Sequence, residues 1–413
     1  MRIFGGTVVA DGCARSADVV VEGGKITAVA AASAAGDVDA RGCVVLPGGI
    51  DPHTHPLADL RAATFAAARG GTTTIATFTS PHPGETPAAA FVRARDEQVP
   101  HAIVNVALHA AVWEPDRLDR AQLEQLRAAG GRTVKLYLAY PELGMAVSDR
   151  TLYETLRDAS RLGMLVLVHC ESIGAIEALV DELLASGRID VRAFVDSRPP
   201  LVEEEGVARA LAFARLAAAP VYLVHLTSAD SLELVRAARR RGQQVWAEVC
   251  THHLVLDDSR YDGADAERFV VVPPLRARAH VEALWAAIAD GTVDAIGSDH
   301  AQVKYQPEAP PGDFRSLPYG VFGIDVRVPL VLTEGTRRGI GRERLVELLA
   351  GGPARAFGLR GKGTIQRGAD ADVVLWDPEQ RWTIEGESPF SGIDVAGAVR
   401  RVFVGGREGE WAA

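Results

Sequence analysis

Short apolar runs alternate with longer amphipathic stretches through the middle of the chain. Seven of the runs have the length and composition of strands: GTTTIATF, HAIVNVAL, TVKLYL, MLVLVH, VYLVHL, QVWAEVC and TVDAIGSD. GGIDPHTH precedes them and makes eight strand candidates, and helical segments such as DRAQLEQLRAAG lie between them. Repeated strand–helix alternation of this kind predicts an α/β protein with a (β/α)8 barrel of the TIM type. A doubly wound sheet is the alternative, but no glycine fingerprint opens the first helix.

The two ends of the chain have a different pattern, with β-rich pieces separated by glycine turns. RIFGGTVV and ADVVVEGGKITAVA lie near the start, and GADADVVLWD and AVRRVFVGG lie near the end. Chain termini often lie close together in space, so the two ends predict one small β-sandwich domain. We expect residues 1–49 and 356–413 to form it and residues 50–355 to form the barrel. The Pro- and Gly-rich segment 301–320 is expected to overhang the mouth of the barrel.

Composition and charge restrict the kind of partner. The chain has 413 residues, 47% hydrophobic content and a net charge of −10, which argue against nucleic acid or an anionic membrane as its main partner. The N-terminus MRIFGGTVVADG has no apolar core of signal-peptide length, and no apolar stretch reaches the length of a membrane span. The four cysteines are scattered and form no CxxC pair, as expected for free thiols in a reducing compartment. We therefore expect a cytoplasmic protein that acts on small molecules.

Histidines and an aspartate collect at the carboxyl ends of the predicted strands, where active sites of such barrels lie. The first strand ends in His53 and His55, the fifth in His169, the sixth in His225 and the eighth in Asp299. Residues two apart on a strand face the same side, so His53 and His55 point the same way. A single histidine at a strand end is usually structural. Four imidazoles and a carboxylate on one rim predict a site for a divalent metal and favour Zn²⁺.

The remaining candidates are assigned structural roles. His82, His101, His109 and His280 are placed in loops or helices, away from the predicted metal site. Cys170 directly follows a predicted ligand, but it has no cysteine partner in the sequence and is expected to pack in the core.

Lys135 lies inside the apolar strand TVKLYL, where an isolated ammonium would be strongly unfavourable. One explanation is that two nearby cations favour the neutral amine, which adds CO₂ and becomes a carbamate able to bridge them. The other explanation is a buried salt bridge, for which Glu248 on the seventh strand is the candidate.

Together these residues resemble the amidohydrolase superfamily, in particular the cyclic amidohydrolases that include dihydropyrimidinases (hydantoinases), dihydroorotases and allantoinases. The resemblance runs from VVLPGGIDPHTH through VKLYLAY, LVHCES and VHLTSAD to IGSDHA. It implies two zinc ions, bridged by N6-carboxylated Lys135 and a hydroxide. The ligands it implies are His53, His55 and Asp299 for one ion and His169 and His225 for the other. It also implies that the hydroxide opens a cyclic amide while Asp299 acts as general base and acid.

The resemblance also suggests substrate contacts. Tyr140 stands five residues beyond Lys135, where hydantoinase-like enzymes have a tyrosine that hydrogen-bonds the reacting carbonyl; aromatic packing is the alternative. Val272 and Tyr319 occupy substrate-binding positions at which the family usually has serine and asparagine, and both positions act partly through backbone groups.

The sequence defines the identity of the cyclic substrate less well. Dihydroorotases have an arginine directly after the His-x-His pair, where this chain has Pro56, although Arg61 or Arg276 could substitute. We therefore expect an uncharged cyclic ureide or imide, with dihydroorotate and allantoin as alternatives. CTHHL, residues 250–254, is closer to dihydroorotases or allantoinases than to hydantoinases.

A non-catalytic assembly protein is the competing class of function. Relatives of that kind have lost metal ligands, whereas all six ligand positions are intact in this chain, so an enzyme is expected. The resemblance further implies a homo-oligomer, either a dimer or a tetramer.

Overall fold

The computed structural model describes residues 1–10, 12–56, 59–115, 118–140, 143–301 and 312–409. Half of the predicted overhang, residues 302–311, lies outside these ranges. Two sheets organise the described chain: a nearly closed parallel barrel in the middle and a separate, mostly antiparallel sheet that draws strands from both ends. The predicted α/β barrel fold with a terminal sheet domain is thus confirmed.

Eight parallel strands form the barrel in the order in which they occur along the chain, each pairing with the next. They are β6 (Gly49–Thr54), β7 (Thr72–Phe78), β8 (Asn105–Ala111), β9 (Thr133–Tyr137), β10 (Leu165–His169), β11 (Val221–Leu223), β12 (Val245–Cys250) and β13 (Ala295–Gly297). Most of these strands are buried over their whole length, because helices cover the outer face of the barrel and side chains fill its interior.

Helices alternate with these strands and pack their apolar faces on the barrel. They are α1 (Leu60–Arg69), α2 (Pro87–Arg93), α3 (Arg120–Ala128), α4 (Asp149–Arg161), α5 (Ile173–Ala185), α6 (Val191–Asp196), α7 (Pro200–Leu216), α8 (Ala229–Arg240), α9 (Thr251–Val255), α10 (Arg278–Ala289), α11 (Arg327–Arg337), α12 (Arg342–Val346) and α13 (Gly352–Ala356). Several begin at a side-chain cap. Ser148 and Asp119, for example, accept hydrogen bonds from the first-turn amides of α4 and α3.

The terminal sheet takes five strands from the start of the chain and three from its end. They are β1 (Arg2–Ala10), β2 (Cys13–Glu22), β3 (Lys25–Ala31), β4 (Val38–Asp39), β5 (Val44–Pro47), β14 (Val373–Thr383), β15 (Asp394–Val404) and β16 (Arg407–Glu408). β14 pairs with β5, which joins the two ends of the chain. Its own core, including Ile3, Val19 and Phe403, is separate from that of the barrel. The domain boundaries at residues 49 and 356 stay a prediction.

The structure corrects the placement of His109. This residue is not in a loop or helix but on β8, and it is almost fully buried. Its Nδ1 lies 2.7 Å from Thr133 Oγ1, and its Nε2 lies 3.2 Å from the Pro52 carbonyl oxygen. Burial lowers the pKa of His109 to about 3, so the imidazole is a neutral structural group beneath the mouth of the barrel.

The other three histidines assigned to structural roles lie where the sequence placed them. His82 is in a loop, His101 is in a short 3₁₀ helix and His280 is on α10. Cys170 is buried in the barrel core, as expected for a packing residue. In the described ranges, no helix combines the length and the apolar character needed to span a bilayer.

Candidate active site

His53, His55 and Asp299 meet across the junction of the first and last barrel strands. His53 is on β6, His55 directly follows it, and Asp299 lies two residues beyond β13. The Nε2 atoms of both histidines lie 3.2 Å from Oδ1 of Asp299. These three side chains therefore present two imidazoles and a carboxylate to one point, which is an arrangement suited to a divalent cation.

His169 and His225 form a second group at the ends of β10 and β11. His169 Nδ1 lies 2.9 Å from His225 Nε2, and both rings are buried. The His225 ring centroid is 5.3 Å from that of His53, so the two groups share one site. Two imidazole nitrogens at this separation need a proton or a cation between them, because two facing lone pairs would repel each other.

In each group, a buried carboxylate contacts one histidine at its rear nitrogen, which is the ring nitrogen that faces away from the centre of the site. Glu248 Oε1 lies 2.8 Å from Nδ1 of His53, and Glu171 Oε2 lies 2.7 Å from Nε2 of His169. Glu248 also accepts hydrogen bonds from the Tyr222 hydroxyl at 2.7 Å and from the His225 amide at 3.1 Å. Each carboxylate fixes the N–H on the rear nitrogen, which leaves the inner nitrogen as a lone-pair donor.

Lys135 lies between the two groups, on β9, and is 1% exposed. Its Nζ lies 5.1 Å from the ring centre of Phe78 and 5.2 Å from that of Tyr137. Within the described ranges no carboxylate is at salt-bridge distance from it, because Glu248 is engaged by His53 and Tyr222. Burial lowers the pKa of Lys135 to about 8, so a substantial minority of the amine is neutral near pH 7.

Three site residues have backbone torsions in the left-handed region, which side chains other than glycine rarely adopt. The φ angles are 67° at Tyr140, 36° at His225 and 49° at Asp299. Such conformations are unfavourable and persist where the surrounding structure enforces them, most often at functional sites. The three strained residues therefore lie on the same rim of the barrel as the clustered histidines and the aspartate.

The site opens into a cavity of about 420 Å³ whose walls are mostly apolar and aromatic. The three predicted substrate-contact residues Tyr140, Val272 and Tyr319 all line it. The remaining wall includes Phe78, Trp113, Tyr137, Leu143 and Met145. The Tyr140 and Tyr319 rings stack with centroids 6.4 Å apart, and Tyr140 also contacts the His169 ring at 4.9 Å.

The two arginines that could have bound a substrate carboxylate are elsewhere. Arg61 is exposed on α1. Arg276 is buried, donates to Thr227 Oγ1 and the Arg198 carbonyl, and lies 3.7 Å from Glu203. Among the described residues that line the cavity, Lys135 is the only lysine or arginine.

Charge states in the site follow from burial and close contact. Burial alone would raise the pKa of Asp299, but the adjacent His53 and His55 outweigh it and hold this pKa well below its usual range. Burial lowers the pKa of His225 and of His169, in the latter case against the opposing effect of Glu171. Burial raises the pKa of Tyr140 well above its ordinary value, so its phenol stays protonated and can donate a hydrogen bond.

The sequence did not indicate that three residues of this site support its histidines. Glu171 stands two residues after His169 in LVHCES, and its position beside a predicted ligand was an available signal. Glu248 was considered only as a partner for Lys135, although a charged residue inside an apolar strand indicates a buried partner of some kind. Tyr222 lies in VYLVHL, where nothing distinguishes it from a core aromatic.

Comparison with known proteins agrees with this geometry. The amidohydrolase family model matches residues 44–409. A D-hydantoinase of Ralstonia pickettii is 38% identical over 412 residues, which cover 95% of this chain and 90% of that protein. The solved structure of a D-hydantoinase from Bacillus sp. AR9 has a TM-score of 0.92 at 34% identity and covers 98% of this chain and 94% of its own. An L-hydantoinase structure from Arthrobacter aurescens has a TM-score of 0.90 at 28% identity, covering 98% and 95% of the two chains.

The chain belongs to the amidohydrolase family. It is a hydrolase of carbon–nitrogen bonds in cyclic amides, which confirms the expectation of an enzyme over that of an assembly protein. Members of this family typically depend on two metal ions. The side chains present in this structure suit such a pair: inward-facing imidazole nitrogens in two groups, a carboxylate, and a buried amine without an anionic partner.

Removing the charge of Glu248 is expected to weaken metal binding. Glu248→Gln keeps the shape and can keep contacts with His53, His225 and Tyr222, but it no longer increases the basicity of the imidazole. We expect a loss of about 10- to 100-fold in metal affinity, measured by competition with a chelator. Tyr222→Phe is the matched control, since it removes one contact to the same carboxylate and retains the charge, and its loss should be much smaller. Equal losses in the two variants would contradict this role.

Proposed function

We propose that this protein is a dinuclear zinc hydrolase that opens an uncharged cyclic ureide or imide of the hydantoin or dihydropyrimidine kind. His53, His55 and Asp299 would hold one ion, His169 and His225 the other, and N6-carboxylated Lys135 would bridge them. When bound, the two ions supply a hydroxide nucleophile at neutral pH and polarise the amide carbonyl.

The environment of Lys135 carries this proposal. A buried ammonium beside two dications would be repelled by both, and the described residues place no carboxylate next to it. Loss of a proton from the ammonium gives the neutral amine, which forms an N–C bond with CO₂ and releases a second proton, so that a cation becomes an anion. That anion has two oxygens, as a bridge requires. The lowered pKa of Lys135 supports this step, because it leaves part of the amine neutral.

Asp299 and Tyr140 have complementary roles in the reaction. The Asp299 carboxylate contacts His53 and His55 through Oδ1, so Oδ2 is the atom assigned to move the proton. It would take this proton from the attacking water and pass it to the leaving nitrogen. The protonated phenol of Tyr140 would donate to the carbonyl oxygen as negative charge develops on it.

The cavity favours a neutral ring with an apolar substituent. The described walls offer no guanidinium to a substrate carboxylate, and burying that group unpaired would be unfavourable. Trp113, Leu143 and Met145 would contact an aliphatic or aromatic group on the ring. Backbone groups at Val272 and Tyr319 would orient the ring amide. The names of the relatives, D-hydantoinase and D-phenylhydantoinase, support the same substrate class.

We also propose that the protein is a cytoplasmic homo-oligomer, a dimer or tetramer. Leu201 and Leu216, near the two ends of α7, are each 67% exposed. Self-association would cover such an apolar surface. The four cysteines are free thiols, which fits a reducing compartment.

Turnover of four substrates side by side tests the proposed substrate class. We expect hydantoin carrying an aliphatic or phenyl group and dihydrouracil to be opened with a higher kcat/KM than allantoin or dihydroorotate, measured by the loss of ring absorbance. Both enantiomers of the substituted hydantoin belong in the assay. Dominant turnover of dihydroorotate would show that a cationic partner for its carboxylate exists and would overturn the assignment.

Lys135→Ala should lose the metal pair and most of the activity, because the bridging anion disappears with the amine. Short carboxylic acids such as acetate or propionate, added to this variant, should enter the space and partly restore both. Metal content by elemental analysis and hydantoin turnover are the two readouts. Retention of both metals by the variant, without any effect of added carboxylate, would contradict the carbamate bridge.

Reconstitution of the metal-free protein should depend on pH through Lys135. CO₂ adds to the neutral amine only, so at fixed dissolved CO₂ the initial rate should rise about tenfold from pH 7 to pH 9 and then level off. His55, His169 and His225 should not contribute, since burial lowers their pKa values below that range. Recovery of activity after zinc addition measures this rate. A rate that still rises about tenfold per pH unit above pH 9 would mean an ordinary lysine pKa.

A further inference from the structure

The first and last barrel strands are adjacent but lack a regular ladder between them. In the described chain, paired strands run from β6 round to β13, and those two ends of the sheet are not joined as strands. A backbone hydrogen bond from the His55 amide to the His300 carbonyl, 2.8 Å, links the segments just beyond the strand ends. His53 and His55 lie on one side of this seam and Asp299 lies on the other. The geometry of that ligand group therefore depends on whatever closes the seam.

Two buried charged side chains occupy the seam, and neither has a role in the proposed reaction. Asp51 Oδ1 accepts hydrogen bonds from the Ser298 amide at 3.0 Å and from the His53 amide at 3.3 Å. Arg327, on α11, donates through Nη1 to the Ile296 carbonyl at 2.8 Å. The carboxylate of Asp51 and the guanidinium of Arg327 approach to 3.5 Å, and both side chains are 0% exposed.

Arg327 also reaches across to the second barrel strand. Its Nη2 donates to Thr72 Oγ1 on β7 at 3.0 Å. One guanidinium thus contacts β13 and β7 as well as the carboxylate on β6, which lies between them in the barrel. The planar fork of arginine suits such a multiple contact, whereas a lysine ammonium could not span the same three partners.

Side chains take the place of a backbone ladder at the seam. The amides of His53 and Ser298 both donate to the Asp51 carboxylate instead of to a carbonyl oxygen of the neighbouring strand. Gly297 on β13 allows the strands to come close, since a Cβ there would lie 3.1 Å from His53 Cβ. The strands are therefore in contact without regular backbone pairing, and Asp51 and Arg327 supply an acceptor and donors in its place.

We propose that Asp51 and Arg327 are positioning residues that close the barrel and set the spacing between the His53–His55 pair and Asp299. This inference rests on the proposed dinuclear centre, because its consequence is selective: loss of the ion pair should weaken the metal position at the seam. The other position, formed by His169 at the end of β10 and His225 two residues beyond β11, lies where these two strands pair continuously in parallel and should be spared.

Cobalt(II) titration of the metal-free protein tests this selectivity, with visible absorption reporting the ligand field of each bound ion. Wild-type protein should bind two cobalt ions, and His55→Ala and His169→Ala assign the two steps. One of the two binding steps is absent from His55→Ala. In Arg327→Met the cobalt affinity of that step should fall by at least about tenfold, the size expected for a lost supporting contact, while the affinity of the other step is unchanged. Asp51→Asn, which keeps the shape and removes the charge, should show the same selective effect if Arg327→Met does not fold.

Arg239→Met is the matched control. Arg239 pairs with Asp294, which accepts from the Ala247 amide, so this pair joins β12 to β13 away from the seam. Its loss should lower the thermal midpoint and leave the ratio of the two cobalt affinities unchanged. If Arg327→Met or Asp51→Asn weakens both steps equally, or neither, the pair is only structural and the inference is wrong. Wild-type protein that binds fewer than two cobalt ions would contradict the dinuclear centre itself, and this inference with it.

Discussion

A buried amine with no salt bridge to any described carboxylate is the constraint around which this site is arranged. Lys135 Nζ faces the rings of Phe78 and Tyr137, and the Glu248 carboxylate is paired with His53 instead. Left as an ammonium, it would destabilise the barrel and repel any cation bound by the histidines. As a carbamate it would attract two cations to the position between the two imidazole groups. The same side chain thus decides both the stability of the apo site and the charge that the loaded site can hold.

Carboxylates behind the histidines also favour positive charge at the site, as the conversion of Lys135 from an ammonium to a carbamate would. Glu248 and Glu171 lie behind His53 and His169, and Asp299 faces the first pair directly. A buried anion next to an imidazole stabilises positive charge on its far side. Both groups of histidines are therefore suited to cations, while the wall of the cavity that would receive the substrate stays apolar.

The meeting of the strand-end histidines and Asp299 could be predicted from the sequence because the pattern that reveals it is local. Period-two alternation and the apolar runs locate each strand end, and barrel topology brings those ends together. The same reasoning misplaced His109, because the apolar run that was recognised ends one residue earlier, at Leu108, while the strand continues to Ala111. Its burial and its hydrogen bonds with Thr133 and Pro52 are tertiary features that no alternation shows.

Contacts distant in sequence could not be predicted at all. Asp51 precedes the His-x-His pair and Arg327 lies on α11, far along the chain. No periodic pattern at either position indicates that the two side chains are in contact. An arginine inside an apolar helix does indicate a buried anion, but the sequence does not say which one. The residues of the cavity wall could not be predicted either, because Trp113 and Met145 reach it from loops whose course depends on the whole fold.

The most direct test is the electron density at the end of the Lys135 side chain, in crystals of the protein loaded with two zinc ions at a resolution that separates a carboxyl group from water. We expect a planar three-atom extension on Nζ, with one oxygen towards each metal ion. A bare amine in a fully metallated site, with water alone between the ions, would contradict the account.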